Sequence, residues 1–201
     1  MKINKIINLT DAVKIGSGIE RSVYVHPDNP NQLVKVVHPD EKDSQTKREV
    51  AYYEKLIARL PDTAEAWKHI PHFYGVQATN RGDCPVFEAI RDFDGEISKT
   101  FQFYLERDGL ALYRSELDEL KCYLLKYAIL INSGIIWPVN LVLKRVNENE
   151  QILVVVDALG DPVAIKFFNL FPYFVKQKIL RRWERLEKNL LKYANSEPLN
   201  H

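Results

Sequence analysis

Cysteine is scarce in this chain: Cys84 and Cys122 are the only two, and they form no CxxC pair. A disulfide framework and a cysteine-built metal cluster are therefore excluded, and a reducing compartment is the expectation. An excess of one charge is missing too. Lys and Arg number 28 against 27 Asp and Glu, a formal net charge of +1. No global field points to nucleic acid or to an anionic membrane. The apolar runs all fall far short of the ~20 residues of a membrane span, and MKINKIINLTDAVKIG lacks the apolar centre of a secretory leader. Internal repeats and low-complexity tracts are also absent. What is present is 46% hydrophobic and 27% charged residue in 201 positions, an ordinary globular balance. The expectation is a cytoplasmic protein of one domain or one compact two-lobed unit.

Strand signals come first. DAVKIG, RSVYVH and QLVKVV fall within residues 11–37, and HPDNPN suits a hairpin turn between the last two. From Asp43 to Leu60 the period lengthens to that of a helix. Val50, Tyr53, Ile57 and Leu60 would share its core face, and Pro61-Asp62 would stop it. HFYGVQATN and PVFEAI read as strands joined by Arg81-Gly82-Asp83. A second helix is expected over Ser115–Ile131, with Leu117, Leu120, Leu124, Tyr127 and Ile131 facing the core. LVLKRV and QILVVVD form a hairpin through Asn147–Glu150. A last helix, Phe174–Tyr193, aligns Val175, Ile179, Trp183, Leu186 and Leu190. The fold class expected is α+β, with a β-rich lobe over 1–90, a reduced helical lobe over 91–201, and a hinge near Arg91–Gly95.

One constellation carries chemistry. Gly16-Ser17-Gly18, followed by Val23, lies between two strand segments, where a glycine turn lets backbone N–H groups approach nucleotide phosphates. An ordinary hairpin turn has the same signature. Lys35 interrupts the apolar Leu33–Val37 strand one strand later. A lysine so placed can hold α- and β-phosphates as a point charge, or simply snorkel to solvent. Glu49 in the following helix is a partner for Lys35, with Glu54 as its rival. Phe87-Glu88-Ala89-Ile90 suits a strand-to-hinge segment whose backbone would meet adenine. Asn140 and Asp157 stand at the two mouths of the later hairpin and can converge on one Mg²⁺, a hard ion that prefers oxygen.

Glycine turn, strand lysine, helix glutamate, hinge, Pro-x-Asn and Asp-x-x-Gly follow one another in kinase order. The chain resembles the protein-kinase-like superfamily, and is most similar to the bacterial YrbL family of the PhoP regulatory network. Arg48-Glu49-x-x-Tyr52-Tyr53, Ile70-Pro71-x-x-Tyr74-Gly75 and Asp92-Phe93-Asp94-Gly95 carry that similarity. The resemblance implies a two-lobed protein-kinase-like fold with ATP and Mg²⁺ as cofactors. Gly16, Ser17, Gly18, Val23, Lys35, Glu49, Phe87, Glu88 and Ile90 would bind nucleotide, and Asn140 and Asp157 the metal. Val163-Ala164-Ile165-Lys166 copies the strand motif that carries the kinase lysine. Kinase order assigns that role to Lys35, which leaves the tetrapeptide a chance match.

The chain also departs from the pattern. A kinase places an Asp five positions before its metal-binding Asn to accept the substrate proton; here Ile135 stands there. Residues 132–140 contain no carboxylate or histidine, and Trp137 replaces the usual lysine. Asp157-Ala158-Leu159-Gly160 is a residue longer than Asp-Phe-Gly, and no Ala-Pro-Glu follows. Rapid transfer to peptides is not expected. The leading reading is an ATP- and Mg-binding but catalytically degraded protein with a regulatory role through partners. The alternatives are an active phosphotransferase on a small molecule or on itself, and a scaffold that binds no nucleotide. Arg21, in place of a third glycine, favours the scaffold. The basic C-terminal helix would meet an acidic partner or an anionic surface, or be merely solvated. The carboxylates of Asp92, Asp94 and Glu96 read as a solvated turn, with a metal or cationic substrate as the alternative.

Overall fold

The computed structural model describes residues 6–41, 44–132, 137–160 and 172–195. Packing divides the chain into two units: Met1–Arg59 with Pro71–Ile90, and Leu60–Ile70 with Arg91–His201. The first is built on five antiparallel strands, β1 (Lys14–Ser17), β2 (Arg21–His26), β3 (Asn29–Val37), β4 (Phe73–Thr79) and β5 (Gly82–Glu88), in the order β1-β2-β3-β5-β4. The turn between β2 and β3 is tighter than HPDNPN suggests. A register shift after Val25 brings Asn29 opposite His26, and the Asp28 N–H donates to His26 Nδ1 at 3.1 Å. Residues directly opposed in an antiparallel ladder share a face, which gives the sheet two distinct sides.

One side is apolar. Tyr24, Val34, Val36, Cys84 and Val86 pack there against Ile7 and Leu9 of the N-terminal segment. That segment is tied down by its backbone: the Ile7 N–H donates to Ala78 O at 2.9 Å, and Ile7 O accepts from the Asn80 N–H at 3.0 Å. The other side carries Val23 opposite Lys35, and Leu33 opposite Phe87, which in turn opposes Phe73. Helix α1 (Ser44–Arg59) buries Thr46, Glu49, Tyr53 and Leu56. The Tyr53 ring meets Phe73 at a tilt and Phe87 edge-on, with centroids 5.7 and 5.0 Å away. The expected face of Val50, Tyr53, Ile57 and Leu60 is thus corrected: Ile57 is 50% exposed and Leu56 fully buried. The stripe is turned because a charged residue, Glu49, occupies a core-facing position that an apolar count passes over.

The second unit contains α2 (Phe101–Asp108), a 3₁₀ turn at Leu110–Tyr113, α3 (Arg114–Lys126), the hairpin β6 (Leu141–Arg145) and β7 (Gln151–Val155), and α4 (Pro172–Asn195). Helix α2 has no expectation from the sequence. It is only two turns long, and its Thr100 makes no side-chain cap bond, yet Phe101, Tyr104 and Leu105 are buried at helical spacing. Helix α3 ends five residues before the expected Ile131. Ala128 takes a left-handed φ of 50°, and the Ile129 N–H closes on Leu124 O at 2.9 Å, the six-to-one bond of a Schellman cap. The chain then runs extended, and Ile131 bridges Leu159. In α4, Val175, Ile179, Trp183, Leu186 and Leu190 are buried as their spacing requires.

Residues 60–70 group with this second unit for specific reasons. The Tyr123 hydroxyl donates to Ala66 O at 2.7 Å, His69 O accepts from the Val155 N–H at 2.9 Å, and His69 Nδ1 bonds Leu153 O at 2.7 Å. His69 is 1% exposed, and burial pushes its pKa below the usual imidazole value. Glu119 (3.4 Å from Nε2) and the Leu153 carbonyl oppose that shift. With the folded-state pKa lowered, the unfolded chain takes up this proton first. Stability is then present above the unfolded value, 6.5, and is lost as pH falls below it. Urea midpoints should therefore fall between pH 7 and pH 5. His69→Phe should flatten that slope, and an unchanged slope would refute the assignment.

Candidate functional site

The first unit buries three charged side chains together. Lys35 Nζ donates to Glu49 Oε1 at 2.7 Å, and the Arg21 guanidinium donates to Glu49 Oε2. Arg21, Lys35 and Glu49 are 6%, 8% and 4% exposed. Strand β3 sets the lysine and α1 the glutamate, while β2 supplies the arginine, so the carboxylate is shared between two cations. The Lys35 ammonium also lies 4.5 Å from the centroid of Phe87, in reach of its π-face. Glu49 is the partner that the sequence offers; its rival Glu54 is exposed. Desolvated ions are costly unless they are paired and hydrogen-bonded, so this is a built arrangement.

Beside it lies the glycine turn. Gly16 and Ser17 end β1, and the Gly18 N–H donates to Arg21 O at 2.8 Å, closing the turn. A Cβ at Gly16 would meet nothing within 4 Å, and one at Gly18 would meet only Arg21 O at 3.8 Å. Neither residue has a left-handed φ. The folded chain alone therefore does not require glycine at either position. Val23 faces the same side as Lys35. At the far end of the sheet, Phe87 is buried and Glu88 Oε2 accepts from the His72 N–H at 3.1 Å. The Ala89 N–H donates to Asn31 O at 2.9 Å, and Ile90, 6% exposed, closes the unit.

The second unit holds the other two candidates. Asn140 O accepts from the Val156 N–H at 3.0 Å, at the mouth of the β6–β7 hairpin. Asn140 Oδ1 accepts from the Trp137 N–H at 2.8 Å. Asp157 follows β7, and its Oδ1 accepts from the Ala158 N–H at 2.6 Å. Among the described residues there is no group of three or more His, Cys, Asp or Glu able to hold a metal ion. Two oxygen side chains suffice for Mg²⁺ when phosphates and waters complete the shell. Ile135, Asp161 and Lys166 lie outside the described residues.

These features have relatives. The sequence matches the family model described as PhoP regulatory network protein YrbL over residues 7–191. The chain belongs to the YrbL family. It is 32% identical over 186 residues to the uncharacterized protein YrbL of Escherichia coli (strain K12), covering 90% of this chain and 86% of that one, and the YrbL of Shigella flexneri matches equally well. A solved kinase domain is similar over 80% of this chain with a TM-score of 0.48 and 19% identity, and the chain spans about half of it (52%).

Two parts of this YrbL-family chain differ from their reading in the sequence. Asp94 and Glu96 are exposed as the solvated turn requires, but Asp92 is buried, which corrects that reading for Asp92 alone. Its carboxylate accepts from Ser98 Oγ at 2.6 Å, the Arg145 N–H at 3.0 Å and Arg145 Nε at 2.7 Å. Asp94 stays partly exposed, and the Glu96 N–H and then Arg145 hold its carboxyl below the usual range. Arg182 is 6% exposed, although its neighbours Arg181 and Arg185 are exposed. It donates to Ile131 O at 2.8 Å and Gly160 O at 3.2 Å, bracing two stretches of backbone. A helical count assigns Arg182 to the buried side between Ile179 and Leu186, and only its charge argues otherwise. No helix among the described residues is long and apolar enough to cross a membrane.

Proposed function

We propose that this YrbL-family protein is kinase-like, binds ATP with Mg²⁺, and acts in regulation rather than as a rapid phosphotransferase. The observation that carries the reading is the buried Lys35–Glu49 pair at 2.7 Å, on the sheet side shared with Val23. An ammonium held by a carboxylate is oriented to meet phosphate oxygens as a point charge. The glycine turn supports the same reading, since the fold leaves open the space that a Cβ at Gly16 would take and a phosphate can use it. Gly16, Ser17, Gly18 and Val23 would cover the nucleotide, Phe87, Glu88 and Ile90 would border its base, and Asn140 and Asp157 would hold Mg²⁺. Slow chemistry follows from Ile135, which cannot accept a proton; general-base help is worth about 10²–10⁴-fold. The family's description as a PhoP regulatory network protein supports a regulatory role through a protein partner.

Thermal-shift titration with ATP, with and without Mg²⁺, tests this. At a ligand concentration 100 times Kd, stabilisation is about 2.7 kcal/mol, or roughly 5–11 °C at about 2–4 °C per kcal/mol. Lys35→Met and Asp157→Ala should each remove the shift, and Lys166→Met should keep it. Arg21 still pairs with Glu49 when Lys35 is lost, so Lys35→Met should remain folded. A wild-type chain with no shift would point to the scaffold reading, in which Arg21 and Lys35 serve only to hold Glu49.

A further inference from the structure

Helix α4 concentrates positive charge that the nucleotide reading does not use. It carries seven Lys and Arg against two Glu, a net +5 in a chain whose total is +1. Phe174, Lys178, Arg181, Arg185, Lys188 and Lys192 follow one another at alternating steps of four and three. At about 100° per residue, that spacing keeps all six within about 40° of one line along about 27 Å of helix. The line lies on the outer side: Arg181, Arg185, Lys188 and Lys192 are exposed, whereas Val175, Ile179, Trp183, Leu186 and Leu190 are buried. Other exposed or half-buried cations of this unit have carboxylate partners: Lys68 has Glu119, Lys126 has Glu65 and Arg107 has Asp108. The four on α4 have none among the described residues, although Glu184 lies one turn from both Arg181 and Lys188. Arg181 with Arg185, and Lys188 with Lys192, are like charges at i,i+4, which weaken a helix. Folding therefore does not account for the row. At its head Tyr173 and Phe174 are 67% and 47% exposed, their rings edge to face with centroids 5.7 Å apart.

We propose that this face of α4 docks on an anionic phospholipid surface. A plane meets every residue of a straight ridge at once, so the cations approach it together. Lys and Arg then meet lipid phosphates, and exposed aromatic rings settle at the depth of the headgroups. An acidic protein segment would answer the charges alone, whereas a headgroup layer answers both the charges and the two rings. That combination favours a bilayer. The apolar side of α4 is buried within its own unit, so the attachment is peripheral, reversible and weakened by salt. It stands on α4 alone and is independent of the nucleotide reading.

Sedimentation of the full chain with vesicles provides the test. Binding is expected to vesicles of phosphatidylglycerol and phosphatidylcholine in equal parts, and not to phosphatidylcholine alone. It should fall as salt rises from about 0.01 to 0.1 M, where the Debye length shrinks from about 30 to about 10 Å. A cation near such a surface contributes about 5-fold, so Arg185→Gln combined with Lys188→Gln should bind roughly 25-fold more weakly. Both residues are exposed and glutamine is a good helix former, so that variant should keep the wild-type melting temperature. Lys55→Gln combined with Arg114→Gln removes the same charge from exposed positions outside α4, and should bind within a few-fold of wild type. Equal losses in the two double variants would mean that only net charge matters, which would overturn the proposal. So would binding to neither kind of vesicle, or to both alike. Capture by polyglutamate without binding to vesicles would overturn it as well, and would assign the face to an acidic protein.

Discussion

Glu49→Ala should destabilise the first unit by about 3–5 kcal/mol, the cost of leaving a buried charge without its partner. In this chain the carboxylate serves two cations, Arg21 and Lys35, each less than a tenth exposed. Its removal strips both of the same anion at once. Lys35→Met and Arg21→Met each leave a two-member pair intact and should cost distinctly less. Glu49→Gln keeps the shape and one acceptor oxygen, yet it sets an amide N–H₂ against cationic donors, so it should fall between wild type and Ala. At about 2–4 °C per kcal/mol for chains of this size, the alanine variant should melt roughly 6–20 °C lower. The tryptophans make the measurement specific. Trp67, Trp137 and Trp183 all belong to the second unit, so indole emission follows that unit while far-UV circular dichroism follows both. The loss should appear in the dichroism first. An alanine variant with wild-type unfolding would show that the three charges are solvated, and the basis of the proposed site would go with them.

The later hairpin and the last helix were legible in the sequence because their apolar residues form an unbroken run or a single stripe. The stripe from Val175 to Leu190 has one reading, and it is the buried face. Lys35 could be singled out for the opposite reason, being a charge set among apolar neighbours, whereas Glu49 follows Lys47 and Arg48 and was picked over Glu54 only by kinase order. Three of the failures share a cause, since each concerns a polar residue placed inside. Counting only apolar positions put Ile57 in the core, whereas the face is set by Thr46, Glu49, Tyr53 and Leu56. The basic helix that carries Arg182 and the turn that carries Asp92 were read as solvated, with an acidic partner or anionic surface and a metal or cationic substrate as the alternatives. Yet Arg182 is buried to bind two carbonyls, and Asp92 to bind a strand end. Helix α2 was missed because two turns without a side-chain cap leave little periodicity to detect.

Asp92→Ala should be the most damaging single change in the second unit's polar framework. The Asp92 carboxylate joins the turn of residues 92–98 to the end of β6. Ser98 Oγ donates to Oδ1, and so does the Arg145 N–H, while Arg145 Nε donates to Oδ2. The backbone runs in parallel with these bonds: the Phe93 N–H donates to Arg145 O, and the Asp92 N–H to Glu96 O, both at 2.9 Å. Alanine leaves the buried Ser98 hydroxyl and the Arg145 N–H without their acceptor, and orphaned buried donors cost about 1–3 kcal/mol each. The Arg145 guanidinium can turn toward water and Asp94, which lowers the total below that of a fully buried ion pair. The sum expected is about 2–4 kcal/mol. Asp94→Ala is the matched control, since that carboxylate is partly exposed and meets the same arginine; it should be close to neutral. Urea unfolding followed by tryptophan emission compares the two variants directly. Equal midpoints for Asp92→Ala and Asp94→Ala would mean that the arginine contact matters and the buried bonds do not, contrary to the geometry. A large loss only in Asp92→Ala would show that a carboxylate in a charged turn can be framework rather than a metal or substrate site.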